Sequence, residues 1–250
     1  SLHHQLPRLP VGDVLVHCGD FTNNGTLEEY ASFGHWLSQV AAQGSFEERV
    51  FCLVGNHDAP HKLEERKALL PHAQLLKSQM AKRRLCPSGL RLFGQSWPDH
   101  GHGMPRGPLP EPRIDVLLSH SPPAGILDTN EGGSHCGSGA LLRLLEQNSP
   151  RLHLFGHIHE AYGACLRRFG SGGWTLLLNV SNAARPPGMP PLVPERIQYP
   201  VTVIDIELPL EPAPAPLAAK AVAKHRSKRQ RCREHESGPA TADWATQRRL

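Results

Sequence analysis

Arg49-Val50-Phe51-Cys52-Leu53-Val54-Gly55-Asn56-His57-Asp58 is the stretch whose reading decides the fold. Residues 49–54 have the aliphatic and aromatic run of a strand, which stops at a glycine and gives way to an amide, an imidazole and a carboxylate. The same device occurs on either side of it. The apolar run at 11–18 ends in Gly19-Asp20, the run at 114–118 ends in Ser119-His120, and the run at 152–155 ends in Gly156-His157-Ile158-His159. Helical spacing separates these strands: Leu27, Tyr30, Phe33, Leu37 and Val40 follow a Thr26 cap across 26–43, and 63–70 and 140–147 repeat the pattern. Two more strands, at 174–180 and 201–206, follow with little helix between them, which predicts a mixed sheet closing an α/β domain.

Polar groups gathered at the C-terminal ends of strands mark the ligand crevice of an open α/β architecture. A carboxylate, an amide oxygen and imidazoles in one small volume suit a divalent cation, and the glycines permit the sharp turns that aim those side chains inward. Alone, Gly-Asp reads as a turn, a single strand-end His as a structural residue, and His-x-His as a surface hairpin. Four such endings in one chain select the metal reading. The candidates are Asp20, Asn56, His57, Asp58, His120, His157 and His159.

Composition narrows the class. At 250 residues, 39% hydrophobic and 20% charged, the chain suits one catalytic-sized domain plus a tail, and its apolar runs are too short to span a bilayer. It starts without Met and without a signal-peptide pattern. Six cysteines without a CxxC pair read as reduced thiols of an intracellular protein, placed in the cytoplasm or the nucleus. Glu211-Pro212-Ala213-Pro214-Ala215-Pro216 reads as a stiff linker, so the domain is expected over 1–210 and a basic disordered tail over 211–250. Lys224 to Arg233 in that tail is a solvated segment, or a weak address for nucleic acid or an import receptor. Residues 98–112, rich in Gly, Pro and His, read as a loop. Of the 16 histidines, His17 and His153 are expected to pack inside strands and His35, His61 and His72 to lie on helix surfaces, while His100, His102 and His135 are candidates for the substrate mouth.

The order Gly-Asp, Gly-Asn-His-Asp, His, Gly-His-x-His resembles the calcineurin-like metallophosphoesterases, from about Val11 to Ile206. Val14-Leu15-Val16-His17-Cys18-Gly19-Asp20-Phe21-Thr22 and the segment from Leu154 to Gly163 look like the metallophosphoesterase-domain-containing branch. The resemblance implies two packed mixed β-sheets flanked by helices, and two divalent ions (Mn, Fe, Zn or Mg) holding a hydroxide for in-line attack on a phosphate ester. By the same resemblance Asp20 bridges the ions, Asn56, His120 and His157 complete one site, and His159 belongs to the other. His57 approaches the phosphate as general acid, with Asp58 orienting its imidazole. The expected substrate is a phosphomonoester or phosphodiester, and the resemblance to that branch tilts toward a small diester such as a cyclic nucleotide. The family's first strand and its Asp-x-His have no counterpart before Val11; His3 and His4 are read as loop residues, and a gap is expected beside 11–18. Two other readings stand beside this one. An amidohydrolase would use His157 and His159 as a metal pair, although its His-x-His ends the first strand of a barrel. A metal-poor phosphate or nucleic-acid binding protein would draw affinity from the basic tail.

Overall fold

The computed structural model describes residues 2–43, 46, 50–76, 84–85, 89–98, 114–170, 173–184 and 196–207. His100, His102, most of the 98–112 loop and the tail after 210 lie outside them. The chain divides into a unit over Ser1–Leu208 and a second over Pro209–Leu250.

Strands β1 (Leu15–His17), β2 (Val50–Cys52) and β3 (Ala73–Leu75) form a parallel three-stranded sheet. A second sheet holds β4 (Arg84–Leu85), β5 (Arg91–Gln95), β6 (Val116–Ser119), β7 (Leu152–Phe155), β8 (Gly163–Arg168) and β9 (Trp174–Asn179). Its order is β4-β5-β6-β7-β9-β8, parallel from β5 to β9 and antiparallel at both edges. A short pair, β10 (Ala183–Ala184) with β11 (Arg196–Ile197), completes the strands described. The expected α/β class with flanking helices is the one observed; of the two sheets expected to be mixed, the six-stranded one is, while the three-stranded one is wholly parallel.

Strand periodicity explains the layering. Val50, Cys52 and Val54 point into a cluster with Tyr30, Phe33, Leu37 and Val40 of helix α1 (Leu27–Ala42). The alternate residues Phe51 and Leu53 face Leu92, Val116, Leu118, Leu152 and Leu154 of the second sheet. Leu117, Phe155 and Leu177 point the other way, onto Leu141, Leu144 and Leu145 of a later helix. Helix, sheet, sheet and helix therefore stack as four layers, and the central strands lack apolar–polar alternation because both their faces are covered.

Helix α1 begins where the sequence places it: Thr26 accepts from Glu29 N, and the Glu29 side chain accepts from Thr26 N in return. The stretch at 63–70 is not one helix. It breaks into α2 (Leu63–Arg66) between two 3-10 turns, with Arg66 buried and its guanidinium 5.6 Å from the centre of the Tyr30 ring. The helix expected at 140–147 is α3 (Gly139–Asn148), capped by Ser138. The strand expected at 201–206 does not form. Val201, Ile204 and Ile206 pack against the two inner clusters without a ladder partner, and Val203 is 63% exposed. A cavity of about 680 Å³ runs beside β1. Its apolar lining includes Leu6, Val14, Val16, Leu92, Val116 and Leu152, and Asp20, His57, His157 and His159 line it as well.

Candidate metal centre

Strands β1, β2, β6 and β7 each stop just before a candidate ligand, and the turns that follow are tight. Gly19 has φ +100°, while Asp20 and His157 adopt φ 58° and φ 70°, a left-handed conformation that non-glycine residues take up at a cost of about 1–3 kcal/mol. Two of the metal candidates carry that strain, and Phe46, Ala59, Leu127 and Ser149 share the conformation elsewhere. A Cβ on Gly55 would sit 2.6 Å from both Asp20 N and His120 Cε1, so the approach of the β1 and β2 turns to His120 requires glycine there.

The strand ends bring Asp20, His120 and His157 together, with one ligand atom from each lying within 4.8 Å of the others. His120 Nε2 is 2.9 Å from Asn56 Oδ1 and 3.4 Å from Asp20 Oδ2. The His120 and His157 rings meet edge to face, centroids 4.8 Å apart. On its other side, His120 Nδ1 donates to Cys18 O at 2.8 Å, which fixes the tautomer and turns the Nε2 lone pair toward Asp20 and Asn56. The amide oxygen, the carboxylate and that lone pair are all acceptors. Only a proton or a cation between them relieves their repulsion, so this donor set fits a divalent ion with mixed O and N ligands. Burial opposes ionisation of Asp20, but with a proton in place of a cation on His120 Nε2 the resulting hydrogen bond and charge, together with the backbone N–H of His57 at 2.9 Å, hold the Asp20 carboxyl below the ordinary range.

His159 begins a 3-10 turn and lines the cavity beside Asp20 and His157, outside the three-residue cluster. His57 is exposed and lines the same cavity. Its Nδ1 donates to Asn23 O at 2.8 Å, leaving Nε2 to face outward. Here the expectation for Asp58 is corrected. Asp58 is fully buried and does not orient the His57 ring. Its Oδ2 accepts from Asp20 N and Gly55 N, both at 2.8 Å, and its Oδ1 accepts from Thr22 N and Thr22 Oγ1, both at 2.9 Å. The carboxylate thus ties the turn after β1 to the turn after β2, while the Asn23 carbonyl does the orienting. Consecutive residues of a tight turn point opposite ways, so adjacency in sequence misleads.

Other histidines follow their packing. His3 is buried against Phe33 and Trp36 with Nε2 3.1 Å from Ser32 Oγ, outside the cluster. Burial holds His17 down at about 4 and His153 at about 3, so both stay neutral. His153 sits behind the site, its Nε2 2.7 Å from Ser119 Oγ, whose hydroxyl donates to Ser121 O across His120. His135, from the candidate mouth set, donates Nδ1 to buried Asp128 at 2.8 Å and remains exposed. Sequence reasoning passes over Trp97, whose indole lies 5.5 Å from the His157 ring and 6.1 Å from that of His120. Its position at the end of a strand is the available signal.

The family model for calcineurin-like phosphoesterases matches residues 2–161. The chain is 29% identical over 213 residues to human metallophosphoesterase domain-containing protein 1, covering 70% of this chain and 61% of that protein. It is 32% identical over 196 residues to UPF0046 protein C25E10.12 of Caenorhabditis elegans, covering 65% of this chain and 66% of the relative. The chain therefore spans somewhat under two thirds of the curated relatives it matches. Among solved structures it is similar to TT1561 of Thermus thermophilus, with TM-score 0.43 and 14% identity over 68% of this chain and 79% of that one.

Proposed function

Because this chain belongs to the calcineurin-like phosphoesterase family, we propose that it hydrolyses phosphate esters, diesters foremost, at a two-ion centre whose better-built half is formed by Asp20, Asn56, His120 and His157. The observation that carries this is the meeting of the Asp20 carboxylate, the Asn56 amide oxygen and the His120 Nε2 lone pair, three acceptors facing one another at strand ends with His157 beside them. Divalent ions supply Lewis-acid neutralisation of the phosphoryl oxygens and a nucleophile at neutral pH. A second ion would draw on Asp20 and His159 and bind more weakly than the first.

His57 performs the proton step. With Nδ1–H committed to Asn23 O, the outward Nε2 of the imidazolium delivers its proton to the leaving oxygen as the P–O bond breaks. The backbone N–H of His57 also donates to Asp20 Oδ1, so the turn that carries the acid holds the carboxylate in place. The buried Asp58 keeps the two turns in register and touches neither proton nor phosphate.

The test pairs metal content with turnover. Protein loaded with Mn²⁺ should hydrolyse bis(p-nitrophenyl) phosphate, and Asp20→Ala should lose bound metal and activity together. His57→Ala should keep its metal and lose roughly 100- to 10,000-fold in turnover on an alkyl phosphate diester, whose leaving oxygen needs the proton. Equal loss of metal in the two variants would overturn the assigned roles, and absence of hydrolysis in metal-replete protein would overturn the function.

A further inference from the structure

Trp97 continues the strand-end pattern with an aromatic side chain in place of a ligand. Its backbone N–H donates to Val54 O at 2.8 Å, and Val54 N donates to Ser96 Oγ at 3.0 Å. The end of β5 is thereby stitched to the end of β2, immediately before Gly55-Asn56-His57-Asp58. This fixes the indole beside two metal-ligand candidates: its ring is tilted 35° against His157 and stands edge-on, at 88°, to His120. It belongs to none of the three apolar clusters and is half-buried at the same edge of the sheets as the candidate ligands. A flat, polarisable surface of that size, 5.5 Å from the His157 ring and 6.1 Å from that of His120, is chemically suited to stacking against another planar ring.

We propose that Trp97 is a specificity residue: the organic group of the phosphate ester stacks on its indole, so the site selects esters that carry a planar aromatic ring over aliphatic esters of equal size. This rests on the reading of the site as a phosphate-ester hydrolase. It adds a group that recognises the alcohol part of the substrate, where Asp20, His57 and the imidazoles deal only with phosphate and metal. Support of the His120 and His157 rings is the competing role for Trp97. It differs in consequence, because loss of ring support weakens all phosphate ligands alike.

Phenyl phosphate and cyclohexyl phosphate separate the two roles, since they share charge and size and differ in planarity. Binding of each to Mn²⁺-loaded protein is measured by calorimetry, for the wild type, Trp97→Phe and Trp97→Leu. The wild type should bind phenyl phosphate about 3- to 10-fold more tightly, the usual span of one aromatic pair. Trp97→Phe should keep most of that preference. Trp97→Leu should abolish it by weakening the phenyl ester alone, with cyclohexyl phosphate bound within about 2-fold of wild type. Equal weakening of both ligands, or a preference that survives in Trp97→Leu, overturns the stacking role and leaves the hydrolase reading in place. Failure of the wild type to bind either ester overturns both.

Discussion

Replacing Asp58 by Asn tests whether this carboxylate is a structural tie. In the wild type each carboxylate oxygen accepts two hydrogen bonds, all four donors belonging to Asp20, Thr22 and Gly55. An amide keeps one oxygen and puts an NH2 group against the other two donors, so two buried hydrogen bonds are lost and donors face donors. At about 1–3 kcal/mol for each of the two buried donors left unsatisfied, the cost is about 2–6 kcal/mol, which lowers Tm by roughly 4–24 °C in a domain of this size. Thermal and urea unfolding of metal-free protein measure it. The pH dependence adds a second readout. Burial, with the neighbouring Asp20 charge adding to it, pushes the Asp58 carboxyl up from its ordinary 3.8 to about 6, against the pull of its Gly55 and Thr22 donors. A raised folded-state value means that stability is fully present below about pH 4 and is lost as the pH rises through about 6, by about 3 kcal/mol. Asp58→Asn has no such titration and should lack that slope. A variant that unfolds within about 2 °C of wild type at neutral pH, yet has lost its activity, would refute the argument and return Asp58 to the orientation of His57.

Gly55→Ala should cost about 1–3 kcal/mol in stability and reduce metal content, because its Cβ is driven onto Asp20 and His120; unchanged metal binding by equilibrium dialysis would contradict that contact. Asp128→Ala should loosen the loop between β6 and α3, since Asp128 Oδ2 accepts from Gly125 N at 2.8 Å and Gly137 N at 3.1 Å; faster amide hydrogen exchange at Gly125 and Gly137 is the readout. For His57→Ala, esters with an acidic leaving group such as nitrophenol should suffer least, as they need little protonation. Equal loss on alkyl and nitrophenyl esters would remove His57 as the proton donor.

Much of this is legible in the sequence, for identifiable reasons. Helix α1 announces itself through Thr26 and Glu29, because a capping box is local chemistry, and the strands ending at Gly55, Ser119 and Gly156 are apolar throughout because both faces are covered. Strand β8 escapes such a reading because it lies at the sheet's edge and is largely exposed, so burial leaves little imprint on its residues. Residues 201–206 carry the right aliphatic side chains, but a strand also needs a neighbour to complete its hydrogen bonds, and composition says nothing about one. At the site, the types and order of Asp20, Asn56, His120 and His157 are readable. The roles of Asn23 and Asp58 are not, since they depend on a backbone carbonyl and on which way a turn sends its side chains. Trp97 escapes because a search for ligands and proton donors ignores an indole.

Among the described residues β1 pairs on one side only, with β2, and its other side borders the aliphatic cavity. Backbone donors and acceptors beside a greasy trough make a docking rail for any extended segment, including one from a second copy of the chain. Self-association should therefore rise steeply with concentration and with salts that strengthen apolar contacts. Preparations of this protein are accordingly expected to be governed as much by colloidal behaviour as by the metal they carry.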